Sequence, residues 1–269
     1  MTVICYIKND ALVQSPEVIR LVDTLRARGV DVVMAGDRPC GEADMLLSIG
    51  GDGTFLSTAT LAVPSGIPVL GVNLGRLGFL SENTVESVCE HLPEGSYSVE
   101  ERSLLEVCRK DGAPVTDFPY AVNEISLFRH APGTIGVDVS IDGMQLPTYW
   151  ADGILVSTES GSTAYNLSIG GPICVPGANV LLVSPIAPHN LGVRPLVVND
   201  ASRIDLSLRC RGAQAELTLD NRSVTVSDGM AFSVRKSPET LRRVVLGKSS
   251  FIDALGSRFF WGKDVRNLK

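Results

Sequence analysis

Asp52 stands among three glycines in Ser48-Ile49-Gly50-Gly51-Asp52-Gly53-Thr54. Glycines let backbone N–H groups approach a ligand closely, and a helix N-terminus favours phosphate. A carboxylate beside phosphates is repulsive unless it handles a proton or a metal. Phosphoryl transfer is therefore a better fit than nucleotide binding alone. The stretch is not a dinucleotide fingerprint, because Leu56 takes the place of the third glycine, and it is not a Walker loop, because no lysine follows. Taken alone it reads equally well as a tight turn.

Further along, Asn123-Glu124 follows the strand-like Tyr120-Ala121-Val122. A solvated strand end would explain the pair. So would a grip on a sugar diol, since a carboxylate accepts from both hydroxyls. The densest small and hydroxylated stretch runs from Trp150-Ala151-Asp152-Gly153 through Ser160-Gly161-Ser162-Thr163-Ala164-Tyr165 to Gly170-Gly171-Pro172. It reads as a ligand loop in which Tyr165 stacks on a base, with a plain capped loop as the alternative. It holds no hydrolase elbow. Asp220-Asn221 lies between two strands and reads as a hairpin turn. The three histidines (91, 130 and 189) are not in metal-ligand spacing. Arg242-Arg243 and Gly262–Arg266 read as solvated charge. Gly247-Lys248-Ser249 imitates the end of a Walker loop, but Arg242 sits where its first glycine belongs.

The elements that position these residues divide the chain. Strands over Thr2–Ile7, Val30–Met34, Asp44–Ile49 and Ile67–Val72 alternate with helices, one starting at Ser15-Pro16 and one after Gly53. That alternation predicts an open, mostly parallel sheet. Ligands on such sheets sit beyond the carboxyl ends of strands, where both Gly50–Thr54 and Asn73–Phe79 fall. From about residue 98 the pattern becomes short strands with Asp-Gly turns, which predicts antiparallel hairpins. Ser250–Trp261 carries apolar residues at helical spacing. The expected division is an α/β domain over 1–98, joined by a tail of about 247–269 packing back, and a β-rich domain over 99–246.

Composition narrows the classes. The net charge of −6 over 269 residues argues against a general nucleic-acid or membrane-surface binder. No apolar run approaches the ~18 residues of a membrane span. The six cysteines are scattered, and Met1–Cys5 runs straight into a strand. The expectation is reduced thiols, mostly in the core of a cytoplasmic protein.

The set of motifs resembles the NAD kinase family. The family's Gly-Gly-Asp-Gly-Thr is Gly50–Thr54, its Gly-x-Asn-x-Gly-x-Leu-Gly-Phe-Leu is Gly71–Leu80, and its Asn-Glu pair is Asn123-Glu124. Its long Asp-Gly…Ser-Gly-Ser-Thr-Ala-Tyr signature runs from Asp152 to Tyr165, and the likeness continues through Pro185–Asn190 and Arg194–Leu196. Lipid kinases of the diacylglycerol type share Gly-Gly-Asp-Gly, whereas the 152–172 block is specific to NAD kinases. Leu74 and Trp150 depart from the residues common in the family.

The resemblance implies a Rossmann-like N-terminal domain, a β-sandwich-like C-terminal domain that binds NAD, and an active site between them. It implies transfer of the γ-phosphoryl group of ATP, or of another donor, to the adenosine 2′-hydroxyl of NAD. A divalent cation such as Mg²⁺ would ride on the nucleotide phosphates, and the chain would assemble as a homodimer or homotetramer. Asp52 becomes the proton acceptor, and Gly50, Gly51, Gly53 and Thr54 the phosphate loop. Phe79, Asn123, Glu124, Asp152, Ser160, Thr163, Ala164, Tyr165, Asn166, Leu167, Ser168 and Ala187 shape the NAD pocket. Asp220 matches an acid that reaches in from a neighbouring subunit. Two other readings compete: a lipid or sugar kinase with the same glycine-acid loop, and a non-catalytic NAD(P)-binding regulator.

Overall fold

The computed structural model describes residues 1–75, 78–247 and 251–259. They fall into two compact units, Met1–Arg102 together with the chain from Leu241 onward, and Ser103–Thr240.

The first unit is α/β. Its elements are β1 (Thr2–Tyr6), α1 (Pro16–Ala27), β2 (Asp31–Met34), β3 (Met45–Ile49), α2 (Asp52–Ser65), β4 (Val69–Val72) and α3 (Val85–His91). Ser15 caps α1 by accepting from the Val18 N–H, and Pro16 opens the helix, as its sequence signals require. Val18, Leu21 and Leu25 turn one face of α1 into the core. The strands pair in parallel in the order β2-β1-β3-β4. Every residue of β3 and β4 is buried, as expected where helices cover both faces of a parallel sheet.

The chain leaves this unit within β5 (Tyr97–Arg109). The second unit contains β6 (Tyr120–Ala121), β7 (Glu124–Arg129), β8 (Ile135–Ile141), β9 (Met144–Gln145), β10 (Tyr149–Ala151), β11 (Gly153–Thr158) and the single turn α4 (Tyr165–Ser168). It continues with β12 (Val180–Ile186), β13 (Leu196–Asn199), β14 (Ile204–Arg209), β15 (Gln214–Leu219), β16 (Arg222–Ser227) and most of β17 (Ala231–Leu246). Antiparallel pairing gives a six-stranded sheet in the order β13-β12-β11-β7-β15-β16. A second antiparallel run, β10-β8-β14-β17, has β9 on its β8 edge. Leu127, Ile154, Val156, Val183 and Leu217 of the first sheet share one core with Val137, Val139, Leu206 and Phe232 of the second. The final helix, α5 (Phe251–Phe259), belongs to the first unit.

Several elements differ from the sequence expectation. The crossings lie at 102/103 and 240/241, inside β5 and β17, rather than at 98/99 and 246/247. Both strands run on through the crossing, so composition does not change there. The single strand read over Tyr120–Arg129 is broken at Val122-Asn123. Gly153–Thr158, read as the start of a loop, is a wholly buried strand at the middle of the six-stranded sheet. Of the six free thiols, Cys5 and Cys210 are buried and the other four lie partly exposed. Lys248, Ser249, Ser250, Trp261 and Gly262–Arg266 lie outside the described residues.

Candidate active site

In the first unit the buried β3 runs directly into the glycine loop. Gly50 has φ +147°, and a Cβ there would lie 2.5 Å from Thr54 Oγ1, so the turn requires glycine. Its N–H donates to the Val72 carbonyl (2.8 Å), tying the loop to the end of β4. Asp52 then opens α2.

The segment after β4 returns to this point. The Asn73 N–H donates to Asn83 O (2.8 Å), and Asn83 Nδ2 donates to Gly71 O (2.9 Å). Asp52 Oδ2 accepts from the Phe79 N–H (2.9 Å), and its Oδ1 accepts from those of Leu80 (3.1 Å) and Ser81 (2.8 Å). A Cβ on Gly78 would lie 2.0 Å from Asp52 Oδ1, so only glycine lets the chain come this close. The two strand-end loops thus meet through one carboxylate, whose orientation is set by three backbone donors. The Phe79 ring packs on α5.

In the second unit a second aspartate is held the same way. Asp220 sits in the β15–β16 turn at φ +54°. Its oxygens accept from the N–H groups of Val122 (2.8 Å), Asn123 (2.8 Å) and Glu124 (3.2 Å). Those bonds break the strand at 122–123. They also commit the Asp220 carboxylate within its own chain, where the sequence suggested reach into a neighbouring subunit.

Glu124 lies beside it. Burial, and then the negative charge of Asp220, push the Glu124 carboxyl up to about 8, against a smaller pull from the Tyr165 backbone N–H. Burial also raises Asp220, and its three amide donors and Arg222 pull it back. Two adjacent acids in little water share one negative charge. The amides place that charge on Asp220 and the proton on Glu124, whose Oε2 is buried without a hydrogen-bond partner.

The 158–172 stretch is assembled around the same corner. Thr158 Oγ1 donates to Val122 O (2.7 Å) and accepts from the Gly161 N–H (3.0 Å). Asn166 is fully buried. Its Nδ2 donates to the carbonyls of Ser162 (3.2 Å) and Pro172 (3.1 Å), while Oδ1 accepts from Ser184 Oγ (2.8 Å). It staples the loop and has no polar atom left for a ligand, contrary to the pocket role expected of it. Ser160 Oγ is buried without a partner, and Tyr165 leaves its ring 40% exposed. Thr163, Ala164 and Leu167 are half-buried, and Ser168 is exposed. Ala187 is exposed at φ +47°, a backbone state that L-residues seldom take. Asp152 is paired with Arg129, whose Nε donates at 2.7 Å. No sequence signal marked Arg129 as a partner.

Two domain models cover most of the chain: the ATP-NAD kinase N-terminal domain matches residues 39–97 and the ATP-NAD kinase C-terminal domain matches residues 122–246. A NAD kinase of Flavobacterium psychrophilum is 39% identical over 229 residues, covering 83% of this chain and 78% of that one. A NAD kinase of Porphyromonas gingivalis is 41% identical over 227 residues, again covering 83% and 78%. The chain belongs to the NAD kinase family. Like its relatives it is a kinase that phosphorylates NAD, with ATP as donor. The fold of a NAD kinase from Archaeoglobus fulgidus in complex with ATP superposes with a TM-score of 0.77 at 26% identity, over 95% of this chain and 97% of that one. Yeast NADH kinase complexed with NADH gives 0.83 at 23% identity, over 100% and 90%. These matches are to NAD and NADH kinases, which leaves the lipid-kinase and regulator readings without support.

Among the described residues no three His, Cys, Asp or Glu side chains gather as a metal cage. Both Asp52 oxygens are already hydrogen-bonded. The donor set suits a cation carried on nucleotide phosphates and offers no resident site, so no step is derived through one. No helix among the described residues is long and apolar enough to cross a membrane.

Proposed function

We propose that the phosphoryl acceptor is the adenosine 2′-hydroxyl of NAD and that Asp52 receives its proton. The 2′-oxygen forms a bond to the γ-phosphorus of ATP, the bond from that phosphorus to the β–γ bridging oxygen breaks, and ADP leaves. The proton passes to an Asp52 oxygen and then to solvent. The observation that carries this reading is the Asp52 carboxylate itself, held through both oxygens by three amides at the start of α2. Such a base is weak against a sugar hydroxyl, so orientation supplies most of the gain. Gly50, Gly51, Gly53 and Thr54 supply the phosphate loop, of which Gly51 and Gly53 are exposed.

The β-rich unit is the NAD-binding part of this reading. Asn123 and Glu124 hold the adenosine ribose, and Tyr165 stacks on a ring of the dinucleotide. Ser160, Thr163, Ala164, Ser168 and Ala187 line the pocket. Glu124 enters as a neutral acid at pH 7, so it donates to one hydroxyl and accepts from the other. This differs from the ionised carboxylate that the sequence suggested. Asn166 and Asp220 support the pocket from behind, and Phe79 acts through its N–H. A divalent cation arrives on the ATP phosphates, and the working form is a cytoplasmic homo-oligomer.

The test is to incubate the protein with Mg²⁺, ATP and NAD and to locate the new phosphate by ³¹P NMR. A 2′-phosphate is expected. Phosphorylation elsewhere on NAD refutes the acceptor, and NADP formation by Asp52→Asn at near-wild-type rate removes Asp52 from the chemistry.

A further inference from the structure

Phe79–Glu82 joins the catalytic aspartate to the last helix. Three of its amides hold Asp52, while its side chains turn to α5. The Phe79 ring centroid lies 5.0 Å from that of Phe259 and 6.2 Å from that of Phe251. The Arg258 guanidinium sits 4.7 Å from the same ring's centroid. Glu82, with its side chain 9% exposed, lies 3.3 Å from Arg258 Nη2 and 2.5 Å from Arg243 Nη2. Arg243 Nη1 donates to Glu100 at 2.8 Å. Arg243 is 4% exposed, although its doublet with Arg242 read as solvated charge.

A buried carboxylate between two guanidiniums is a costly way to hold a helix in place, because apolar packing would do as well or better for stability. What the arrangement adds is a fixed position for Glu82 and Phe79, and hence for the backbone between them. Loss of that position reaches Asp52 directly, since Phe79, Leu80 and Ser81 aim its carboxylate. A base displaced by ~1 Å can cost up to ~10²-fold in rate.

We propose that α5, through Arg258 and its phenyl rings, and Arg243 on β17 form a strap that positions the Asp52-holding segment. These are positioning residues. The proposal rests on Asp52 as proton acceptor and goes beyond it, by making turnover depend on a helix that carries no residue of the glycine loop.

The test compares Arg258→Ala, Arg258→Lys and Phe79→Leu with wild type, using the exposed ion-pair variant Arg20→Ala as control. The readouts are kcat, KM for NAD and ATP, Tm, and hydrogen exchange of the 79–81 amides. Arg258→Ala should lower kcat by roughly 10-fold, keep both KM values within about twofold, and speed exchange at 79–81. Arg258→Lys should recover part of the rate, and Phe79→Leu should lower it by a smaller factor. Wild-type kcat in Arg258→Ala overturns the strap. So does a loss of kcat with unchanged exchange at 79–81. Asp52→Asn is assayed beside them: if it stays active the base assignment fails, whereas an inactive Asp52→Asn with an unimpaired Arg258→Ala removes the strap alone.

Discussion

Asp52 and Asp220 accept from three consecutive backbone amides each, in different units of the molecule, and they do opposite work. Asp52 stands at the exposed start of a 14-residue helix, and the segment that grips it, 78–82, is itself held from behind by α5. Asp220 stands in a hairpin turn, and the segment it grips, 122–124, carries the ligand-facing acid. In the first case the backbone aims the carboxylate. In the second the carboxylate aims the backbone. The same hydrogen-bond pattern therefore does not identify a catalytic acid. The glycine approach at Gly78 and the solvent side of the loop do.

Substitutions at the two acids separate these roles. Asp52→Asn should remove ~10²–10⁴-fold of kcat while NAD affinity by calorimetry stays within about twofold. Equal losses of kcat and affinity would make the two acids alike. Asp220→Ala orphans three amides, so it should lower the unfolding free energy by ~2–4 kcal/mol in urea melts and weaken NAD binding. If its Tm is unchanged while kcat/KM falls, Asp220 touches ligand directly and the contrast is lost.

Glu124 gives a finer, pH-dependent effect. Its folded carboxyl titrates near 8, above the ordinary 4.5. Between those values the folded chain binds more protons than the unfolded one, so stability must fall as pH rises from about 4.5 to about 8. Glu124→Gln should flatten that fall, leaving the variant on the order of 1–3 kcal/mol more stable than wild type at pH 9. Parallel melts at pH 5 and 9 check this, and an identical slope in both proteins would refute the buried proton. The smallest effect is expected at Tyr165. With its ring 40% exposed, Tyr165→Phe should change NAD affinity less than threefold, while Tyr165→Ala should weaken it ~10-fold through lost stacking.

The glycine loop, the capped α1 and the four parallel strands were legible because each is announced locally, by turn residues, a cap or a buried run. The 122–124 clamp was not, because nothing near Asp220 in sequence says that its turn folds onto a segment about a hundred residues earlier. Gly153–Thr158 was hidden by its own polarity: Ser157 and Thr158 are buried, and their hydroxyls bond to backbone carbonyls. Arg243 was misread because charged residues at 235, 236, 239, 242 and 243 mask the alternation of β17. Once the strand is known, Arg242 and Arg243 must point to opposite faces, one donating to the Gly66 carbonyl near solvent and the other entering the Glu82 pair.

The place of α5 in the chain bears on synthesis. It follows every other described element, so the ribosome releases Asp52, the glycine loop and the gripping amides long before the helix that steadies them. A nascent chain can complete both sheets and still lack an aimed base. Clipping of the last helix by a protease, or a bulky fusion set against it, should therefore silence turnover in a chain whose dinucleotide pocket is intact.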